Sequence, residues 1–200
     1  MSAALQKRTE AERVPDPPNA APTDDDRQLV ARSRGGDRRA FGELVARHQR
    51  AIFLLAVRYL DNVEDARDVA QRTFVQAFQK LGRFRQESGF RTWVYRIAIN
   101  LAVTALRERG RAAKMAARAS SLETEVAPVE PISEREARRL RAAVASLPPK
   151  QRLVIELRVY DELSFREVAE VAGSSEDAAK MNFHHALKRL RTLIGEGGER

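Results

Sequence analysis

Apolar residues recur along this chain every three or four positions, and nowhere do they alternate for long enough to make a strand. Phe41, Leu44, Val45, Ile52, Leu55 and Tyr59 fall on one face of a predicted helix. Asn62 is placed to cap the next helix, with Glu64 and Asp65 in its first turn, where the helix dipole favours negative charge. The buried stripe predicted for that helix is Ala66, Val69, Ala70, Thr73, Phe74, Ala77, Phe78 and Leu81, and Gly82 is placed to end it. Ser88 or Gly89 precedes a third series, Val94, Ile97, Ala98 and Leu101. Further on, Leu140, Val144 and Leu147 run up to Pro148-Pro149, which must stop a helix, and Leu153, Val154 and Leu157 mark another. The pattern predicts an all-α protein.

The last patterned stretch has more internal grammar. Ser164 and Glu167 have the spacing of a capping box, and Val168, Val171 and Ala172 give the helix they start an apolar face. Gly173 supplies a tight turn, Ser174 or Ser175 can cap the following helix, and Glu176 and Asp177 fill its first turn. Ala179, Phe183, Ala186 and Leu190 would pack inward, leaving Lys180, Met181, His184 and His185 outward, where a helix-turn-helix presents side chains to the major groove. Lys188, Arg189 and Arg191 follow as phosphate contacts or a solvated face. An ordinary antiparallel helix pair closing a small core would give the same local pattern.

Composition narrows the function. The 200 residues are 32% charged and contain no cysteine, which removes disulfides and thiolate metal sites. No apolar run approaches the roughly 20 residues that span a bilayer, and the N-terminal segment lacks the apolar stretch of a secretory signal. A cytoplasmic protein without membrane insertion is expected. The net charge of +8 is unevenly placed. Residues 1–26 are acidic and proline-rich and read as a disordered tail; residues 27–112 hold 18 basic and eight acidic groups. Residues 113–133 read as a near-neutral flexible linker, and residues 134–200 as a second, weakly basic domain. Two small helical domains leave little room for a catalytic cleft. The sequence offers no metal-ligand spacing, no phosphate-cradling glycine loop and no nucleophile with a plausible base, so neither an enzyme nor a cofactor is expected.

Three strings, in order, resemble one family. They are DARDVAQRTFVQAF at 65–78, GRFRQESGFRTWVYRIAINLAVTALRERGR at 82–111, and LPPKQRLVIELRVYDELSFREVAEVAG at 147–173. Together they resemble the sigma-70 family of bacterial transcription initiation factors, and most closely its extracytoplasmic-function group, which keeps only regions 2 and 4. The resemblance implies that residues 27–112 form region 2, binding core RNA polymerase and the promoter −10 element. It implies that residues 134–200 form region 4, whose helix-turn-helix reads the −35 element. Asp65, Asp68 and Gln71 match the segment that grips the polymerase β′ subunit, and Arg72 stands where the family usually has Glu. The alternative for Asp65 is dipole compensation at a helix start, and for Asp68 an ordinary surface charge, against which the surrounding match favours polymerase contact for Asp68 and Gln71.

By the same resemblance, Arg83, Phe84, Arg85, Phe90, Arg91, Trp93, Arg96 and Asn100 fall in the part that captures the −10 element as a single strand. Tyr95 lies among them and Thr104 replaces a frequent Asp. Cations interleaved with rings suit unstacked bases on a phosphate backbone, whereas Phe84, Phe90 and Trp93 also suit a core. Lys180, Met181, His184, His185, Lys188 and Arg189 become the candidate −35 contacts. Opening roughly ten base-pair steps forfeits about 14 kcal/mol of stacking, while specific over non-specific binding is worth about 4–10 kcal/mol. A strand-capturing region therefore implies a larger machine: core polymerase (β′ and β subunits) and promoter DNA as partners, with an anti-sigma protein implied by the resemblance. The alternatives are a stand-alone helix-turn-helix regulator and a helical module docking an acidic protein.

Overall fold

The computed structural model describes residues 24–117 and 132–195, and among the described residues every regular element is helical. The elements are α1 (Asp24–Arg34), α2 (Arg38–Leu60), α3 (Val63–Lys80), a 3₁₀ turn (Leu81–Arg83), α4 (Phe90–Ala117), α5 (Ile132–Ala145), α6 (Pro149–Ile155), a π-helical turn (Glu156–Tyr160), α7 (Phe165–Ala172) and α8 (Glu176–Gly195). No helix among them is long and apolar enough to cross a membrane.

The first four helices make one lobe. Asp37 caps α2 by accepting from the amides of Arg39 and Ala40, and it is held in turn by Arg32 at 2.7 Å. Asp61 ends α2 in the left-handed region at φ 53°, its amide returning to the Val57 carbonyl. Asn62 caps α3 through the Asp65 amide, as the pattern predicts. The core is filled by Leu44, Ile52, Leu55, Val69, Val94 and Tyr95, each at most 1% exposed. Two expectations shift. Phe78, predicted buried, is 48% exposed and meets the edge of Phe41 beside an open groove. Helix α4 runs to Ala117, five residues past the expected end of the basic domain.

At the N-terminus, α1 begins at Asp24, inside the segment expected to be a tail; residues 1–23 of that tail lie outside the described residues. Leu29 and Val30 bury α1 against the lobe. Asp26 is buried too, 2.7 Å from His48 Nε2 and 3.1 Å from Arg47 Nη1 on α2. Most of the expected linker, residues 118–131, also lies outside the described residues.

Helices α5 to α8 make the second lobe. Pro149 stands at the start of α6, where its missing amide costs nothing. Ser164 and Glu167 form the reciprocal capping box, and Gly173 ends α7 at φ 62°. Ser175, not Ser174, caps α8, accepting from the Ala178 amide at 3.2 Å. Leu140, predicted on the apolar face, is 42% exposed; among the described side chains of α5, burial begins at Ala143. One feature had no signature in the periodicity. After Ile155 the helix widens into the π turn, which buries the polar side chains of Glu156 and Arg158.

Candidate nucleic-acid interface

The segment from Gly82 to Asn100 folds as a turn, a loop and the first turns of α4. Phe84 stacks on Trp93 with ring centroids 4.6 Å apart and planes 23° from parallel, and Phe90 closes the cluster from the side. All three rings are buried, so each serves the core. Phe84 and Trp93 nevertheless line a cavity of about 350 Å³ together with Arg83, Arg85 and Arg96 and with the carboxylates of Glu87 and Glu170, Glu87 lying 3.9 Å from Arg85. Gln86, in the same lining, has φ 57°, an uncommon backbone conformation for a side chain of its size. Flat rings and three exposed guanidinium groups in one cavity can stack an unpaired base and neutralise the phosphates on either side of it.

Not every candidate converges there. Phe90 packs toward His48, away from the cavity, at 5.4 Å between centroids. Asn100 is exposed further along α4, its carbonyl accepting from the Thr104 hydroxyl at 2.9 Å. Arg91 turns to the second lobe, where it donates to the Asp161 carbonyl.

The same end of α4 and the end of α2 meet the π turn and α7, and sequence reasoning gave no sign of this junction. Arg58 donates through Nε to Glu156 at 2.8 Å and through Nη2 to Asp161 at 2.6 Å. Tyr95 donates its hydroxyl to the other Asp161 oxygen at 3.2 Å, and Arg152 donates to the Arg58 carbonyl at 2.5 Å. The Thr92 hydroxyl reaches Glu167 of the capping box at 3.5 Å. Burial pushes both the Glu156 and Asp161 carboxyls above their ordinary range, against the opposing pull of Arg58. Burial, with the Asp161 charge adding to it, pushes the Tyr95 phenol up to about 12. Removing one member of such a buried charged set costs about 3–5 kcal/mol, because the remaining charge is left uncompensated.

The second candidate surface is open. On α8, Met181 is 59% exposed and His184, His185, Lys188 and Arg189 are exposed with it. Ala179, Phe183, Ala186 and Leu190 point inward, as the spacing predicts. Lys180 is half-buried and paired with Glu176 at 2.6 Å. Along one flank, His185, Lys188 and Arg189 border a second cavity of about 740 Å³ closed by Leu147 and Gln151.

Residues 44–112 match the family description "Sigma-70 region 2", and residues 137–190 match "Sigma-70, region 4". The chain is a sigma-70 family factor. It is 38% identical over 158 residues to the RNA polymerase sigma-H factor of Pseudomonas aeruginosa, covering 73% of this chain and 81% of that protein. To the ECF RNA polymerase sigma factor SigW of Bacillus subtilis it is 28% identical over 179 residues, covering 84% and 96%. Among solved structures, CnrH in complex with the cytosolic domain of CnrY superposes with a TM-score of 0.69 at 29% identity, covering 87% of this chain and 99% of that one. The sigma factor is thus of the extracytoplasmic-function type, with a region 2 lobe and a region 4 lobe.

On region 2, the polymerase-facing candidates lie along the outer side of α3. Asp68 and Gln71 are exposed on neighbouring turns, and Asp65 is half-buried at the helix start. Both carboxylates already have partners in this chain: Asp65 meets Arg109 at 3.4 Å, and Asp68 meets Arg72 at 3.0 Å. The charge reversal at position 72 therefore places a cation directly on a proposed contact residue. Gln71 stands on the rim of an apolar groove of about 820 Å³ between α2 and α3, floored by Phe41, Phe53, Phe74 and Phe78.

Proposed function

We propose that this sigma factor binds core RNA polymerase through Asp65, Asp68, Gln71 and Arg72 on α3, and holds the opened −10 strand in the cavity over Phe84 and Trp93. In this proposal Arg83, Arg85 and Arg96 neutralise that strand's phosphates, and α8 reads the −35 duplex through Lys180, Met181, His184 and His185. Lys188 and Arg189 then contact the flanking phosphates. Phe90 supports the strand site from behind its rings, and Arg91 and Asn100 are assigned to the strand outside the cavity, at the beginning and the exposed face of α4. The observation that carries the reading is the cavity itself, because stacked aromatic side chains lining one cavity with three arginines suit a single strand and not a duplex.

The work is binding and positioning, with no chemical step of its own, and it takes place in the cytoplasm beside the polymerase. An anti-sigma protein completes the partner set in this proposal; the similar CnrH forms a complex with the cytosolic domain of CnrY. The test is reconstitution. The purified chain should co-elute with core polymerase and start transcripts at promoters that core alone ignores. Asp68→Arg should weaken that association by an order of magnitude while the circular dichroism spectrum stays unchanged. Retained duplex binding without co-elution would instead make the protein a stand-alone regulator.

A further inference from the structure

The strand cavity is lined largely by the loop between the 3₁₀ turn and α4, and α1 stands behind that loop. Asp26, Leu29, Val30 and Ser33 recur at helical spacing and form the buried face of α1. Arg34, at the end of α1, donates through Nη2 to the Gly82 carbonyl at 3.3 Å, just ahead of the loop. Midway, a void of only about 10 Å³ lies between Arg27 and Val30 of α1 and Phe84, Gln86 and Ser88 of the loop. Those three loop residues also line the strand cavity, so the loop is one residue thick between α1 and the place proposed for the strand. Gln86 keeps its φ of 57° there, a conformation that persists only where its surroundings hold it.

At the far end of the loop the connection runs through side chains. Both carboxylate oxygens of buried Asp26 are taken, Oδ1 by Arg47 Nη1 at 3.1 Å and Oδ2 by His48 Nε2 at 2.7 Å. The imidazole so held stands 5.4 Å from Phe90 between centroids, and Phe90 stands 6.2 Å from Phe84 and 5.8 Å from Trp93. Rings that receive a base must themselves be fixed, and a directional hydrogen bond behind them does this more sharply than apolar contact alone. We propose that α1 braces the strand site, and that Asp26 is a positioning residue acting through His48 and Phe90 on the Phe84–Trp93 stack. The proposal rests on the strand-capture reading given above and adds to it a helix that need touch no strand.

Charge alone and the brace predict opposite results. Asp26→Asn removes a negative charge from a basic protein, which by general electrostatics strengthens binding to a polyanion. Through the loosened stack it should instead weaken binding of a mixed-sequence single strand of about a dozen nucleotides about fivefold, less than the loss of one stacked base. Binding is read on the reconstituted holoenzyme against core polymerase alone. Its salt dependence should keep the wild-type slope, because no phosphate contact is lost. Asp26→Glu keeps the carboxylate and should restore affinity. His48→Gln, which can still donate to Asp26 but brings no ring to Phe90, should weaken binding as Asp26→Asn does, and it answers even where that variant fails to fold. Trp93 is the only tryptophan in the chain, so its emission in the free protein reports the stack directly. In Asp26→Asn and His48→Gln acrylamide should quench it more readily, at a temperature where the circular dichroism spectrum is unchanged. Unchanged or tighter strand binding in both variants overturns the brace, and so does weaker binding with Trp93 quenching unmoved. Strand capture still stands in either case if Arg83→Ala/Arg96→Ala lowers affinity and the salt slope. If that arginine variant binds the strand as wild type does, strand capture falls and the brace falls with it.

Discussion

The two surfaces proposed to meet nucleic acid are built in opposite ways. The one on α8 is an exposed stripe on a helix whose other face does the packing, so its chemistry and its stability occupy different residues. The one on region 2 draws its floor from the aromatic core itself: Phe84 and Trp93 pack the lobe and line the cavity with the same rings. A duplex presents its edges to any helix that fits the groove. An unpaired base needs a rigid flat surface to lie on, and a small lobe has such a surface only where its core reaches the outside. Separable and inseparable function are the two outcomes, and substitutions should tell them apart.

Trp93→Ala should give the largest effect. It removes a ring that is only 8% exposed, so about 3–5 kcal/mol of region 2 stability should go together with open-complex formation, read by calorimetry and by permanganate footprinting of the promoter. If promoter opening fails while the melting temperature holds, the ring is a contact and not core, and the contrast between the surfaces collapses. The double variant Lys180→Ala/His185→Ala should show the other behaviour. Loss of −35 recognition by about 1–3 kcal/mol for each base contact removed, with unchanged melting and unchanged core-polymerase affinity, is the expected result in footprinting and pull-down assays.

Ser164→Ala addresses the seam between the lobes. It should cost about 1 kcal/mol of cap energy in region 4. Because Glu167 both completes that cap and receives Thr92, amide exchange should quicken at the start of α7 and at the start of α4 together. Exchange confined to α7 would separate the cap from the junction.

The smallest effect is a pH response with opposite signs in two places. Burial raises the Asp26 carboxyl, but the hydrogen bonds and charges of His48 and Arg47 outweigh it and hold the group below its ordinary value of 3.8. The stability Asp26 lends to α1 is therefore complete above that value and lost as pH falls below it. Glu156 and Asp161 are held above their ordinary values, so the contribution of their protonation to lobe docking grows as pH falls toward the ordinary carboxylate range. Hydrogen exchange across an acid titration should show α1 loosening while the π turn does not.

What the sequence disclosed, and what it hid, follows the same division. The caps at Asn62 and Ser164, the turn at Gly173 and the outward face of α8 were legible because each is a local rule of spacing and residue type. The division into two helical lobes was legible from charge and proline placement. The floor of the strand cavity was half legible: the rings were in the string, but whether a ring is core or contact depends on what lies on both of its sides. The junction was not legible at all. Arg58 sits on α2 some hundred residues before Glu156 and Asp161, and nothing in the periodicity of either helix marks it as a partner. Phe78 and Leu140 were misplaced for a related reason, since apolar phase records the face of a helix but not where the neighbouring helix ends.

The widened turn from Glu156 to Tyr160 has one more implication. A π turn is an α-helix that has taken in a single extra residue. Deleting one residue there would return the segment to ordinary α-helical pitch and remove the local widening that sets where Asp161 stands. Asp161 would then swing off its arginine while the helix-turn-helix beyond it kept its shape. Such a lesion should leave two well-folded halves that no longer fit each other.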